Sequence, residues 1–379
     1  MQFADIPGLE EVKTSLINSV KNNHLAHAQL FFGPEGSGNL AMALAFATYL
    51  NCTNRQMSLD GSEDACSQCP SCQKMSRFVH PDVHYVFPVS ATKNISGKDV
   101  VSSSYLADWR NFLTGNPYGT ISQWMLQYGG EDKQVNISKE ESRHIVRNLS
   151  LKAFEGNYKV MIIWLPEYMH VSAANGILKI LEEPPAKTIF LLVSSDVEKL
   201  LTTILSRTQI FKIRGFKDEE ISRYLVQQHE LPEEQAAKAA RMANGSMSAA
   251  LGSINEVKDN NHSLYSSWMR LCYERNFSQL IQMADDFHQL NKDAQKSLLL
   301  YGLNILRETL VYPYTSEELV RLEGDERMFV ERFSKVMSWD KVQLIAEKLN
   351  ESLYHLERNA SPKIMFLDLS LQVAGIIKS

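Results

Sequence analysis

Long apolar runs are missing from this 379-residue sequence: runs such as residues 160–165 fall far below the roughly 20 residues needed to cross a bilayer. The opening Met1-Gln2-Phe3-Ala4-Asp5-Ile6-Pro7-Gly8 has neither a basic stretch nor an apolar core. It does not read as a secretory signal, and a cytosolic chain is expected. A surplus of positive charge is also missing. Lys and Arg total 39 against 44 Asp and Glu, a formal net charge of −5, and no arginine-rich tail is visible. That disfavours a chain that coats nucleic acid unaided, because phosphate binding is driven by clustered Lys and Arg. A local basic face stays compatible with it. Cysteine is scarce, yet four of the five fall between Cys52 and Cys72, with Cys272 alone. In a reducing compartment such a cluster reads as a metal site before it reads as disulfides. No internal repeat is found.

What is present is ordinary soluble material. A hydrophobic share of 44% and a charged share of 22% suit a globular protein, and the length suggests two or three domains at about 150 residues each. The first half alternates helical and strand patterns. Val12, Leu16, Ile17 and Val20 mark one helical face, and residues 29–32 read as a buried strand ending in Gly33. A helix over 40–50 follows the glycine-rich stretch 33–38. Further strands are expected at 83–87, 159–165, 189–193 and 210–213. Ser138-Lys139-Glu140-Glu141 fits a capping box, opening a helix that buries Ile145, Val146 and Leu149. Ala173, Ala174, Ile177, Leu178 and Leu181 form the stripe of another, stopped by Pro184-Pro185. Apolar strands alternating with helices imply an α/β domain whose parallel sheet is covered on both faces. Residues 90–133 read as a partly helical insertion, whose Trp109, Trp124 and tyrosines either pack a local core or stack on bases. Beyond about 214 only helices are expected. The chain therefore divides into 1–213, 214–254 and 255–379.

A phosphate-binding loop reads G-x-x-x-x-G-K-[ST], its Lys neutralising phosphate and its hydroxyl ligating magnesium. Here the segment is Gly33-Pro34-Glu35-Gly36-Ser37-Gly38-Asn39-Leu40. Gly33, Gly36 and Gly38 are in place between a strand and a helix. Asn39 carries no charge and Leu40 no oxygen. An acidic pair would be needed at the end of a neighbouring strand. Trp164 and Leu165 stand there, and Glu167 lies two residues too far along. A plain tight turn would explain the glycines alone. The strand–loop–helix placement favours a phosphate loop kept as architecture.

The cysteines read Cys52-x13-Cys66-x2-Cys69-x2-Cys72. Four thiolates can enclose zinc tetrahedrally and leave no open position, as in structural sites. The C-x2-C-x2-C run also has the look of iron–sulfur ligation. His80 and His84 read as ordinary polar residues rather than ligands.

Several stretches then resemble one family. Residues 3–8, His27-Ala28-Gln29-Leu30-Phe31-Phe32-Gly33-Pro34, and Ala173-Ala174-Asn175-Gly176-Ile177-Leu178-Lys179-Ile180-Leu181-Glu182-Glu183-Pro184-Pro185 are similar to AAA+ clamp-loader subunits. So are Phe190-Leu191-Leu192-Val193-Ser194-Ser195-Asp196, resembling a sensor-1 strand, and Ile204-Leu205-Ser206-Arg207-Thr208, resembling a Ser-Arg-Cys motif. The resemblance spans about residues 3–213. The C-terminal third matches only in being helical.

The resemblance implies a AAA+ (P-loop NTPase-like) domain over 1–213 with a zinc module at about 52–72. A helical lid over 214–254 and an oligomerising helical collar over 255–379 would follow. It favours zinc over iron–sulfur. It makes Arg207 an arginine finger acting in trans on a neighbour's ATP, set in place by the apolar segment 200–205, against an ordinary surface ion pair. Ser248 stands where a sensor-2 Arg is expected. With Asn39, Leu40, Trp164 and Leu165, that is the pattern of a non-catalytic member in which ATP does not bind productively. Implied partners are gamma/tau and delta subunits in a hetero-pentamer, and through them a sliding clamp and primer–template DNA. Lys179, Glu182 and Glu183 receive no catalytic role. Two rivals stay open: an active ATPase of the gamma/tau type, and a zinc-bearing DNA-binding module outside replication.

Overall fold

In the computed structural model, residues 1–57, 63–130, 133–150, 152–256, 261–290, 292–312, 324–358 and 360–378 are described. Parts of three expected segments therefore lie outside the described residues: 58–62 of the cysteine module, 131–132 of the insertion, and 257–260 and 313–323 of the helical C-terminal part. The chain divides into two compact units, Met1–Ile254 and Asn255–Ser379.

The first unit is built on strands with little polar alternation. β1 (Ala28–Phe32), β4 (Val83–Val86), β5 (Lys159–Trp164), β6 (Thr188–Ser194) and β7 (Gln209–Lys212) form a sheet in the order β4-β5-β6-β1-β7. Every pairing in it is parallel. β5 and β6 are buried along their whole length, as a strand covered on both faces must be. Side chains still divide by parity. Val160, Ile162 and Trp164 of β5 enter one core, Met161 and Ile163 the other. β2 (Gln56–Met57) and β3 (Glu63–Asp64) make a separate antiparallel ribbon.

One face of the sheet carries α1 (Glu10–Lys21) and α2 (Asn39–Asn51); all thirteen residues of α2 are buried, so its apolar composition runs around the helix. α3 (Pro70–Ser76) follows the ribbon. The segment after β4 carries α4 (Leu106–Gly115) and α5 (Ile121–Tyr128). Thr120 and Gln123 close a capping box on α5, and Gly129, at φ 75°, ends it in the left-handed region. The other face carries α6 (Lys139–Ser150), α7 (Val171–Glu182) and α8 (Thr202–Leu205). α9 (Asp218–His229), α10 (Glu233–Ala243) and α11 (Met247–Glu256) complete the unit, α9 packing along α10.

In the second unit, α12 (Asn261–Glu274), α13 (Phe277–Gln289), α14 (Lys292–Val311), α15 (Gly324–Ser334), α16 (Trp339–Glu357) and α17 (Pro362–Lys378) are all helical. α17 packs against α12, α13 and α16. Phe287 stacks on Phe366 at 4.1 Å, and the buried Trp268 indole donates to Ser370 Oγ at 2.9 Å. Trp and its N–H are thus both accommodated.

Two local expectations fail on α6. Val146 is 41% exposed, while Ser142, Ile145 and Leu149 form the buried stripe, because Val146 is rotated about 100° from Ile145. The expected capping box is not made. Ser138 Oγ has no hydrogen-bond partner, and the Glu141 carboxylate instead accepts from the Ser102 N–H at 2.7 Å. Burial pushes the Glu141 carboxyl above its ordinary range despite that bond.

Candidate phosphate loop, arginine and cysteine centre

The loop after β1 needs its glycines. A Cβ at Gly33 would collide with the Ile213 carbonyl, and Gly36 has φ +76° with Ser246 and Ser248 pressed against it. Gly33 N–H donates to Ser194 O at 3.2 Å, so the loop begins where β6 ends.

Asn39, at the first position of α2, is buried. Its side-chain nitrogen lies 3.3 Å from both Gly33 O and Ser194 O, and its Oδ1 accepts from Leu40 N–H at 2.8 Å. An amide has two N–H donors. Both are engaged with backbone carbonyls, so this side chain stitches the loop to the exit of β6. Leu40 is buried in the core. Neither side chain carries a cation, and the Asn39 oxygen is already engaged by the Leu40 N–H.

Trp164 ends β5, 2% exposed, with ring centroids 5.0 Å from Trp109 and 5.9 Å from Phe112. Leu165 is buried, in the left-handed region at φ 55°, and donates to Val193 O at 2.7 Å. Glu167, two residues beyond Leu165, is engaged by backbone N–H groups. Its Oε1 accepts from Ser195 N–H at 2.9 Å and from Asp196 N–H at 3.3 Å, bracing the turn after β6. Burial raises its carboxyl above the ordinary range, and Oε2 has no partner. Ser248 lies on the loop: its N–H donates to Gly36 O at 3.3 Å, and its Oγ donates to Gln123 Oε1 at 3.2 Å.

Arg207 follows α8, whose Ile204 is buried in the core beneath it. Its Nε and Nη2 reach Glu182 Oε2 at 3.1 and 3.0 Å, and Nη1 donates to Thr203 O at 3.1 Å. The Glu182 side chain is 57% exposed. Such open pairs contribute only about 0–1 kcal/mol. The guanidinium is directed but not locked.

The four cysteines converge. Their sulfurs all lie within 4.8 Å of one another, Cys52 and Cys66 at 3.6 Å, and Cys52, Cys66 and Cys72 are buried. Sulfurs around a tetrahedral zinc with bonds of about 2.3 Å would stand about 3.8 Å apart, so the spacing suits a metal. The four cysteines come from three local devices, Cys69 and Cys72 sharing α3. Cys52 caps the end of α2, Cys66 follows β3, and Cys69 caps α3 with Pro70 at its first position. Backbone N–H groups of Cys66, Cys69 and Cys72 point at the sulfurs of Cys52, Cys66 and Cys69, at 3.3, 3.3 and 3.4 Å. Burial pushes the Cys52 and Cys72 thiols up. Burial also works against ionising Cys69, but hydrogen bonds from Thr53 and the Cys72 N–H outweigh it and draw its thiol down to about 6. Four thiolates together require a cation. The cluster can bind a metal, and its all-sulfur, closed donor set is consistent with zinc.

His80, read from sequence as an ordinary polar residue, is fully buried, and burial lowers its pKa. Sequence reasoning gave no role to Asp82. Its carboxylate accepts from the N–H groups of Phe154, Glu155 and Gly156 at 2.6, 2.8 and 2.7 Å, a hold on the loop before β5 that no motif announces.

A strand–glycine loop–helix unit in a five-stranded parallel sheet, with the Asn39 amide bonded to the carbonyls of Gly33 and Ser194, defines an α/β protein of phosphate-loop shape. The family model described as DNA polymerase III, delta subunit, matches residues 8–217, more than half of the chain. The chain belongs to that family. It is 28% identical over 260 residues to DNA polymerase III subunit tau/gamma of Haemophilus influenzae, covering 67% of this chain and 30% of the other. It is 27% identical over 241 residues to DNA polymerase III subunit delta' of Bacillus subtilis, covering 64% and 58%. The chain thus spans less than two thirds of the length of these relatives. Among solved structures it is similar to a gamma subunit-related protein of Thermotoga maritima, with a TM-score of 0.41, 14% identity and coverage of 95% and 99%. Among the described residues, no helix is long and apolar enough to cross a membrane.

Proposed function

We propose that this chain is the delta-prime-type, non-catalytic subunit of the DNA polymerase III clamp loader, working in the cytoplasm. The observation that supports it best is Asn39, whose amide is engaged with Gly33 O and Ser194 O where a phosphate loop needs a lysine. In this reading residues 1–213 are the AAA+ body, 214–254 the lid and 255–379 the collar. The chain stands beside gamma/tau and delta subunits and acts through them on a sliding clamp at primed DNA.

Two sites carry that role. Arg207 leaves Glu182 and places its permanent, planar charge on the γ-phosphate of ATP held by a neighbouring subunit. Cys52, Cys66, Cys69 and Cys72 hold a structural zinc, which supplies the charge that keeps four thiolates together and cross-links the end of α2 to α3.

The relatives named tau and tau/gamma favour a second reading, an active ATPase. Titration calorimetry of the purified chain with Mg-ATP separates the two. The delta-prime reading expects no heat of binding below millimolar nucleotide; a micromolar Kd would replace it with the ATPase reading.

A further inference from the structure

We infer that residues 87–130 are a resident occupant of the nucleotide crevice, closing it to ATP independently of the missing lysine. The inference rests on reading 33–38 as a former phosphate loop. In open parallel α/β sheets, ligands bind in the crevice outside the carboxyl ends of the strands. This segment leaves the sheet at the carboxyl end of β4, beside β5, and stays there.

It touches each wall of that crevice. At the end of β5, Trp164 packs against Trp109 and Phe112. Trp109 stacks on Phe87 at 4.2 Å, and the Trp124 indole donates to Pro88 O at 2.8 Å. At the loop, the Ile121 N–H at the start of α5 donates to Glu35 Oε1 at 3.3 Å. Glu35 is the loop's sole charged side chain, and though exposed it accepts the first N–H of a helix of the segment. At α11, Gln123 accepts from Ser248 Oγ, and Ser248 N–H holds Gly36 O. At the N-terminal wall, the Tyr118 hydroxyl donates to Asp5 O at 3.4 Å, while its ring meets Phe216 and Tyr224 edge-on at 5.7 and 6.0 Å.

Trp109, Phe112, Tyr118 and Trp124 are at most 1% exposed. A surface insertion would leave its aromatics half wet. These are core residues of the sheet's own cluster. A nucleotide would have to expel them and break the Glu35, Ser248 and Asp5 contacts together. Loss of the lysine and occupation of the crevice are therefore two separate locks.

The test restores one lock and opens the other. Asn39→Lys with Leu40→Thr returns the loop chemistry to the full chain. Adding Tyr118→Ala and Gln123→Ala cuts the segment's contacts at Asp5 and Ser248 so that it can lift from the crevice, with Trp109, Phe112, Trp124 and Trp164 left unsubstituted to preserve the fold. Each is titrated with Mg-ATP. We expect no binding by the restored variant below 1 mM and at least a tenfold gain in affinity once the segment is loosened. Equal binding by both variants, or none by either, overturns the inference. Binding by the unmodified chain would instead sink the reading of a dismantled site. Should the loosened variant fail to fold, amide exchange of the unmodified chain decides. A shared opening rate for loop amides 37–40 and α5 amides 124–128 is expected, and unrelated rates overturn it.

Discussion

The side-chain nitrogen of Asn39 and the carbonyl oxygen of Ser194 lie 3.3 Å apart, joining the start of α2 to the end of β6 across 155 positions of sequence. The same nitrogen also reaches Gly33 O. A residue that looks like a simple loss of charge has become a tie between two strands.

Replacing Asn39 with Leu should therefore destabilise the first unit. Gly33 O loses its side-chain partner, at a cost of about 1–3 kcal/mol if left unpaired, while Ser194 O keeps the Gly33 N–H. Thermal unfolding should show a clear fall in Tm. An unchanged Tm would mean that the amide carries no structural weight.

For Arg207→Ala, the expected signature is a split. The pair with Glu182 is open to solvent, so Tm of the isolated chain should move by no more than about 1 kcal/mol equivalent. The ATPase of the assembled loader should fall steeply, by roughly 10³-fold or more if the arginine completes a neighbour's site. Normal ATPase in an intact complex would return Arg207 to an ordinary surface residue.

Removal of the metal should loosen the cysteine module. Elemental analysis after dialysis is expected to give one zinc per chain. Cys66→Ser, or a strong chelator, should lower Tm and release that zinc, since structural sites contribute directly to folding free energy. Iron in place of zinc, or four titratable thiols with no metal, would reject the assignment.

Asp82 gives a pH dependence whose sign is fixed. Burial opposes its ionisation, but the N–H groups of Phe154, Glu155 and Gly156 outweigh burial and hold its carboxyl below the usual range. Its contribution is present above the ordinary carboxylate value of about 3.9 and is lost as pH falls through its lower folded value. The Tm difference between the unmodified chain and Asp82→Asn should be largest near neutrality and shrink below about pH 4. A difference that stays constant from pH 7 to pH 3 would show that ionisation is not involved.

Much of the sheet was legible because buried parallel strands advertise themselves as apolar runs. Residues 159–165 and 189–193 were read within one residue of β5 and β6. The glycine loop and cysteine spacing were legible because special backbone geometry and metal ligation each demand particular residue types. Val146 failed on local helix register, and the capping box on a distant partner. Ser138 and Glu141 have the right spacing for a capping box, but Ser102, 39 positions away, takes the carboxylate. The 90–133 insertion reads as polar sequence. Its place over the loop depends on contacts such as Ile121 with Glu35, 86 positions apart, which no local pattern encodes.

The strand order bears on how the chain is made. β1 needs β6 beside it, and Ala28 pairs with Phe190, 162 positions later. At 5–20 residues per second, a ribosome takes roughly 8–30 s to cover that gap. Through that interval α2, destined for complete burial, has been synthesised without the strand that will shelter it. The nascent polypeptide thus passes through a stage in which a wholly apolar-faced helix stands without its partner strand.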